Sequence, residues 1–414
     1  MSGANGQAST TSRYRVAYAS VPKDSGTFTF YRNLRPALAA YGVQLICVSV
    51  GRREASLVEQ AYVDDGCVVL VPESTDVKEQ AEAFVGWCEA MQVDVVMAIN
   101  SAAVLSALPH LPSRVRILAR CANAFDEGYR VTLSARERIA HIVALTPRLR
   151  DDLVSQYAVS ADEITLIPNG VDPAPYDAIM QASQTTHRKT LSLGFLGRLE
   201  HNQKGVLHLP GIVTALRREG IDFHLRIAGK GKHEKALRGK LANEIADGSV
   251  EFVGSLDATA VPGFLSSIDV LLFTSHFEGC PNTLLEAMMA GAVPVAFEIP
   301  GIIDFIIDDG RTGLIAPSGD CEAFARQVKR LSVEPGMRIA MGENAAREAR
   351  QRFTPDIAAR AYARLVDDVI HLPATAVAPI PWSQFRVDPV YDPGWKSLVP
   401  EAARRLARKL RARA

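Results

Sequence analysis

The sequence predicts an α/β protein made of two Rossmann-like halves that face one cleft. Short apolar strands alternate with helical patterns along most of the chain, as in parallel sheets covered on both faces. A length of 414 residues supports two domains of ordinary size, each with its own core. A polar, patternless stretch at 176–189 separates the two runs of alternation and places the boundary there.

In the first half, residues 15–20, 43–50, 67–71, 93–99, 115–118 and 141–146 read as strands. Helical patterns occupy 30–41 and 77–91, and Pro147 suits the first position of another helix. In the second half the strands fall near 191–196, 223–228, 250–253, 268–273 and 293–297, with late helices at 320–332 and 337–351. The expected division is a frayed N-terminus 1–13, an N-terminal domain 14–185, a C-terminal domain 186–353, a helix at 354–372 and a tail 373–414. Ligands in such folds sit at the carboxyl ends of the strands, between the halves.

Bulk properties exclude several classes of function. Lys plus Arg and Asp plus Glu are 46 each, so no overall field favours nucleic acid. The polar N-terminus lacks the apolar core of a signal peptide. No window approaches the roughly 18 apolar residues of a membrane span. The nearest stretch, 287–307, is broken by Pro294, Glu298, Pro300 and Asp304. Cysteines 47, 67, 88, 121, 280 and 321 have neither C-x-x-C spacing nor partnering histidines and read as free thiols of a reducing cytoplasm.

Chemistry concentrates in the run from His276 to Met288, where Glu278 and Glu286 stand eight positions apart. Gly279 and Pro281 force a turn after a strand, and Asn282-Thr-Leu-Leu-Glu-Ala-Met-Met-Ala favours a helix that Gly291 stops. The N–H groups of residues 280–283 are thereby left at a helix N-terminus, a seat for a phosphate or diphosphate. Glu278 in the turn and Glu286 one turn into the helix would accept hydrogen bonds from sugar hydroxyls. A diphosphate between two polyhydroxyl groups is a nucleotide sugar.

This segment resembles the donor-site signature of retaining glycosyltransferases of family four, enzymes of the two-domain GT-B fold. Further motifs follow in the family's order: Ile167-Pro-Asn169-Gly-Val-Asp172, Gly194-Phe-Leu-Gly-Arg198-Leu with Lys204-Gly205, and Ile227-Ala-Gly229-Lys-Gly231. Val250-Glu-Phe-Val-Gly254, Gly291-Ala-Val-Pro294 with Gly301, and Gly310-Arg-Thr-Gly313 complete the likeness, which is strong from about residue 140 to 353. The resemblance implies that Arg198 and Lys204 grip the donor diphosphate, the one with a planar fork and the other with a mobile point charge. Without it they would be two exposed loop cations. It implies that Glu278 touches the transferred sugar and that Glu286 holds the ribose hydroxyls. Gly279, Cys280, Pro281, Asn282 and Thr283 would then line the donor, with Cys280 a spacer rather than a nucleophile. Gly229, Gly231, Val253 and Gly254 would lie near the nucleoside. On the acceptor side stand Gly26, Arg120 and Asn123.

One departure is plain. Many members carry a histidine after the strand equivalent to 115–118, whereas this chain reads Ala119-Arg-Cys-Ala-Asn-Ala-Phe-Asp-Glu. Asn123 is the expected substitute, and His110, His141 and His276 do not match that place. The implied function is retaining transfer of a hexose-type sugar from a nucleoside diphosphate to an acceptor hydroxyl, in polysaccharide or lipid-linked glycan assembly. The alternatives are a catalytically silent GT-B binding subunit and a GT-B phosphorylase or epimerase. No cofactor and no metal are expected, since no Asp-x-Asp has a neighbouring ligand and two cations already serve the diphosphate. Residues 355–371 are placed to cross back onto the first domain, as the last helix does in GT-B enzymes. Residues 400–413 read as a short basic helix suited to an anionic membrane surface, which makes the expected location cytoplasmic and peripheral to the inner face of the cytoplasmic membrane.

Overall fold

A computed structural model describes residues 12–23, 26–182, 190–373 and 377–391. The expected basic helix at 400–413 lies outside the described residues, as does most of the N-terminal tail.

Two parallel sheets form the molecule. The first has seven strands in the order Val68–Leu70, Val43–Val50, Tyr14–Ala19, Val95–Ala98, Arg116–Cys121, Ile139–Ala144 and Ile164–Leu166. The second has six, in the order Val250–Gly254, Phe223–Ala228, Leu191–Leu196, Val270–Phe273, Val293–Phe297 and Leu314–Ala316. In both sheets the first strand in sequence lies inside, so the order reverses there and leaves a crevice at the carboxyl ends. The central strands are apolar throughout because helices cover both faces; Val95–Ala98 and Val293–Phe297 are wholly buried.

The helix Gly26–Ala39 begins a turn earlier than its pattern suggests, because Phe28, Phe30 and Tyr31 are all buried by it. Gly26, expected on the acceptor side, is the first residue of this helix. The short strands Ile164–Leu166 and Leu314–Ala316 are not among those read from the sequence.

The helix Pro355–His371 packs on Gly26–Ala39. Tyr362 meets the Phe30 ring edge-on at 5.7 Å, and the Tyr14 hydroxyl donates to Asp367 at 2.6 Å. One continuous hydrophobic core joins the first sheet to the inner helices of the second half, while a separate core fills the far side of the second sheet. After the last helix the chain returns along the first half, where Trp382 stacks on His110 at 4.1 Å.

Candidate functional site

The site grows from the end of the strand Val270–Phe273. Thr274 and Ser275 continue it in full burial, and the Thr274 hydroxyl donates to the Lys204 carbonyl at 2.8 Å. Gly205 makes this approach possible. Its φ is +61°, and an added Cβ would stand 2.0 Å from the Thr274 carbonyl oxygen. The short helix His201–Lys204 is thus pressed against the strand end, and Lys204 Nζ reaches Glu278 Oε1 at 2.6 Å. Both side chains are largely withdrawn from water, at 17 % and 7 % exposure.

Beyond Glu278 the chain turns through Gly279, Cys280 and Pro281 into the helix Asn282–Met289. No side chain caps that helix, so its first N–H groups remain available to an anion. It ends on Gly291 at φ +78°, with the Gly291 and Ala292 N–H groups returning to the Met288 and Ala287 carbonyls. Gly279 permits a close contact between the halves: an added Cβ would lie 1.8 Å from the Ala122 carbonyl oxygen and 3.2 Å from the Asn123 nitrogen. Phe125 and Phe277 pack beside it at 5.5 Å.

A cleft of about 470 Å³ opens where the halves meet. Asn282, Thr283 and Glu286 form one wall and Thr29, Arg32 and Asn33 the opposite one. Burial pushes the Glu286 carboxyl up to about 7, against the pull of the Arg32 guanidinium across the cleft. Desolvation also raises the Cys280 thiol to about 11, which fits a spacer and leaves little thiolate for nucleophilic attack.

Several expected residues lie elsewhere. Glu278, Lys204 and Arg198 adjoin the cleft without lining it, and Arg198 is exposed, donating to the Gln203 side chain. Gly229 and Gly231 pack backbone to backbone, against Gly197 and Leu199. Gly229 N–H donates to the Gly254 carbonyl at 2.7 Å, and the cleft wall beyond Gly254 is made by Leu256, Ala258, Val261 and Pro262. Arg120 is buried in the seam between the halves rather than in the cleft, its guanidinium 3.9 Å from the Phe30 ring centre.

Arg120 donates to Asn169 Oδ1 at 2.6 Å, and Asn169 Nδ2 donates to the Cys280 carbonyl at 3.0 Å and to Asn282 Oδ1 at 2.7 Å. This buried chain fixes the N-terminus of the Asn282 helix from the opposite half, a role its residue types alone do not reveal. Arg32, Asn33 and Tyr176 in the cleft wall were equally hidden, because nothing in their local sequence marks them. All six cysteines are free thiols, as expected, and Cys321 Sγ lies 3.9 Å from His208 Nδ1.

Comparison with known proteins agrees with this geometry. Residues 190–333 match the family model for glycosyl transferases group 1, and residues 25–175 match that for glycosyltransferase family 4. A glycogen synthase of Mycobacterium tuberculosis is 29 % identical over 52 % of this chain and 50 % of its own length. A 2-deoxystreptamine glucosyltransferase of Streptomyces kanamyceticus is 28 % identical over 50 % of this chain and 54 % of its own. The chain thus spans about half the length of the curated relatives it matches. A glycosyltransferase of Rickettsia africae superposes with TM-score 0.71 at 15 % identity, covering 87 % of this chain and 99 % of that one. HepE of Anabaena in complex with UDP gives TM-score 0.69 at 17 % identity, covering 86 % and 100 %. By sequence and by architecture, the chain belongs to the family four glycosyltransferases and has their GT-B fold.

Proposed function

We propose that this protein is a retaining glycosyltransferase that moves a hexose-type sugar from a nucleoside diphosphate to an acceptor hydroxyl. One observation carries the reading: Lys204 reaches Glu278, which leads through one turn into an uncapped helix N-terminus beside the interdomain cleft. The helix N–H groups and Lys204 supply positive potential for a departing diphosphate, with Arg198 swinging in from the surface. Glu278 supplies negative charge for the cationic sugar carbon. Glu286 would meet the ribose hydroxyls, a role supported by its lining the same cleft. The bond from the sugar's anomeric carbon to the diphosphate breaks as the bond to the acceptor oxygen forms on the same face. The acceptor proton passes to the leaving diphosphate, so no protein base is required.

Catalysis of this kind is electrostatic, and one preorganised contact commonly supplies ~2.7–4 kcal/mol of barrier reduction. Assembly of a polysaccharide or lipid-linked glycan is the proposed setting. No described helix is long and apolar enough to cross a membrane. Contact with an anionic membrane surface through residues 400–413 belongs to the same proposal.

The test is a screen of UDP-, GDP- and ADP-hexoses for thermal stabilisation and slow donor hydrolysis, the UDP bound to HepE making UDP-sugars the first choice. Stabilisation by one donor class is the expected result, with hydrolysis retaining the anomeric configuration and persisting in excess chelator. A chain that neither binds nor cleaves any of them is not this enzyme.

A further inference from the structure

Behind the Lys204–Glu278 pair three imidazoles converge. His201 and His208 flank the segment that carries Lys204, and His276 precedes Glu278 by two residues. Each offers a ring nitrogen within 4.8 Å of the other two, the one such group among the described residues. His208 Nε2 faces His276 Nε2 at 2.8 Å, their rings nearly perpendicular, and the His201 ring centre lies 4.9 Å from that of His276. All three are half-buried, and the Phe297 ring walls off the His208 side at 5.2 Å.

We infer that His201, His208 and His276 form a binding site for a divalent transition ion of the zinc class, which would tie the Lys204 segment to the Glu278 turn. The donor chemistry selects the ion. Three neutral nitrogens suit zinc, nickel, copper or cobalt, whereas magnesium, calcium and manganese prefer oxygen. Glu200, the nearby carboxylate, is already engaged by Lys232 at 3.0 Å and by the Asn202 and Gln203 N–H groups.

The surroundings also orient the ligands. His276 Nδ1 lies 3.1 Å from the Asn202 carbonyl, which fixes the proton there and turns the Nε2 lone pair toward His208, the usual backbone support of a metal-bound histidine. Cys321 Sγ lies on the far side of the His208 ring, 3.9 Å from Nδ1, and so supports His208 rather than binding the ion. Two nitrogens on a tetrahedral zinc stand about 3.3 Å apart, so the facing pair opens by about 0.5 Å. His201 joins by turning its ring away from the Leu207 N–H that it now accepts at 3.3 Å. A water completes the shell.

The ion would therefore sit outside the donor cleft, and diphosphate chemistry does not depend on it. The tag-free chain, stripped with chelator, is titrated with zinc chloride by calorimetry and followed by thermal melting, with magnesium chloride as the control. One zinc per chain with a raised melting temperature is expected, together with no response to magnesium and unchanged turnover of the stripped enzyme. Cobalt should give the visible absorption bands of a four-coordinate ion. His208→Ala and His276→Ala should each weaken zinc binding by on the order of 100-fold or more, beyond the roughly 10–100-fold lost with a supporting partner. His201→Gln serves if either fails to match the wild-type circular dichroism, and His224→Ala, on a distant strand, should bind normally. A wild type that takes up no zinc, or zinc binding that survives all three ligand variants, would overturn the site.

Discussion

Replacing Lys204 separates what the ion pair does for stability from what the cation does for chemistry. Glu278 is 7 % exposed and depends on Lys204 Nζ at 2.6 Å for its compensation. Removing one member of a fully buried pair costs ~3–5 kcal/mol, because the survivor is left charged in low dielectric. Lys204 retains 17 % exposure, so water partly reaches the survivor and the expected loss falls to about 2–3 kcal/mol. Lys204→Met should lower the melting temperature of the second domain by roughly 4–12 °C, at about 2–4 °C per kcal/mol. Adding Glu278→Gln removes the stranded charge and should recover most of that loss. Transfer should not recover. Each single variant should fall by roughly 10²–10³ in kcat, and the double variant should stay at least as low. Paired melting and initial-rate measurements on the four proteins of this cycle decide the matter. A stable double variant with near-normal turnover would refute the assignment of both residues, and near-normal turnover by Lys204→Met alone would refute that of the cation.

Glu286 should impose a pH dependence, because burial raises its carboxyl to about 7. A folded-state value above the ordinary glutamate range means its contribution to stability is complete below that range and is lost as pH rises through about 7. Donor affinity should move the other way, since the ionised carboxylate accepts stronger hydrogen bonds from ribose hydroxyls; kcat/KM for donor should climb through about pH 7, and Glu286→Gln should flatten that limb. Gly279→Ala would set a methyl 1.8 Å from the Ala122 carbonyl oxygen, so the halves must separate. The expected cost is ~1–3 kcal/mol of closure, read as a larger radius of gyration in solution scattering and at least a tenfold loss of kcat/KM. Asn169→Ala strands the buried Arg120 guanidinium and Cys280 carbonyl, and urea unfolding should register about 1–3 kcal/mol for each of these groups left unpaired.

What the sequence discloses follows local physics. The strand-turn-helix around Glu278 was legible because Gly279, Pro281 and Gly291 punctuate it and the helix formers between them agree. The central strands announced themselves as unbroken apolar runs and the helix from Cys321 as a helical pattern, while the helix from Pro355 was expected from the resemblance. The opposite wall of the cleft did not. Arg32 and Asn33 sit in an ordinary helical segment, and only the crossing of that helix past the second half gives them a site to face. Arg120 was read as a cleft residue because a strand end usually opens there. Its long side chain turns back instead beneath the Phe30 ring. The gathering of His201, His208 and His276 depends on a loop folding onto a strand end some seventy residues away, which no window of sequence contains.

That turning back of Arg120 has a mechanistic consequence. A buried guanidinium is costly unless its donors are met, and Asn169, an uncharged partner, accepts from it. The same amide must then give both of its own protons to the second half, to the Cys280 carbonyl and to Asn282. Reversing the amide would set its NH2 against the guanidinium and its oxygen against the Cys280 carbonyl, so only one orientation gives Asn169 its three partners. The first half therefore dictates where the Asn282 helix begins. Domain interfaces of this kind are ordinarily polar and able to shift. If the helix N-terminus seats the donor's anion as proposed, an opening that lengthens the Asn169 bonds would disturb that seat as well. On the proposed function, donor binding and interdomain closure would be one equilibrium, and a variant that loosens the seam should weaken the donor's grip without touching a residue that contacts it.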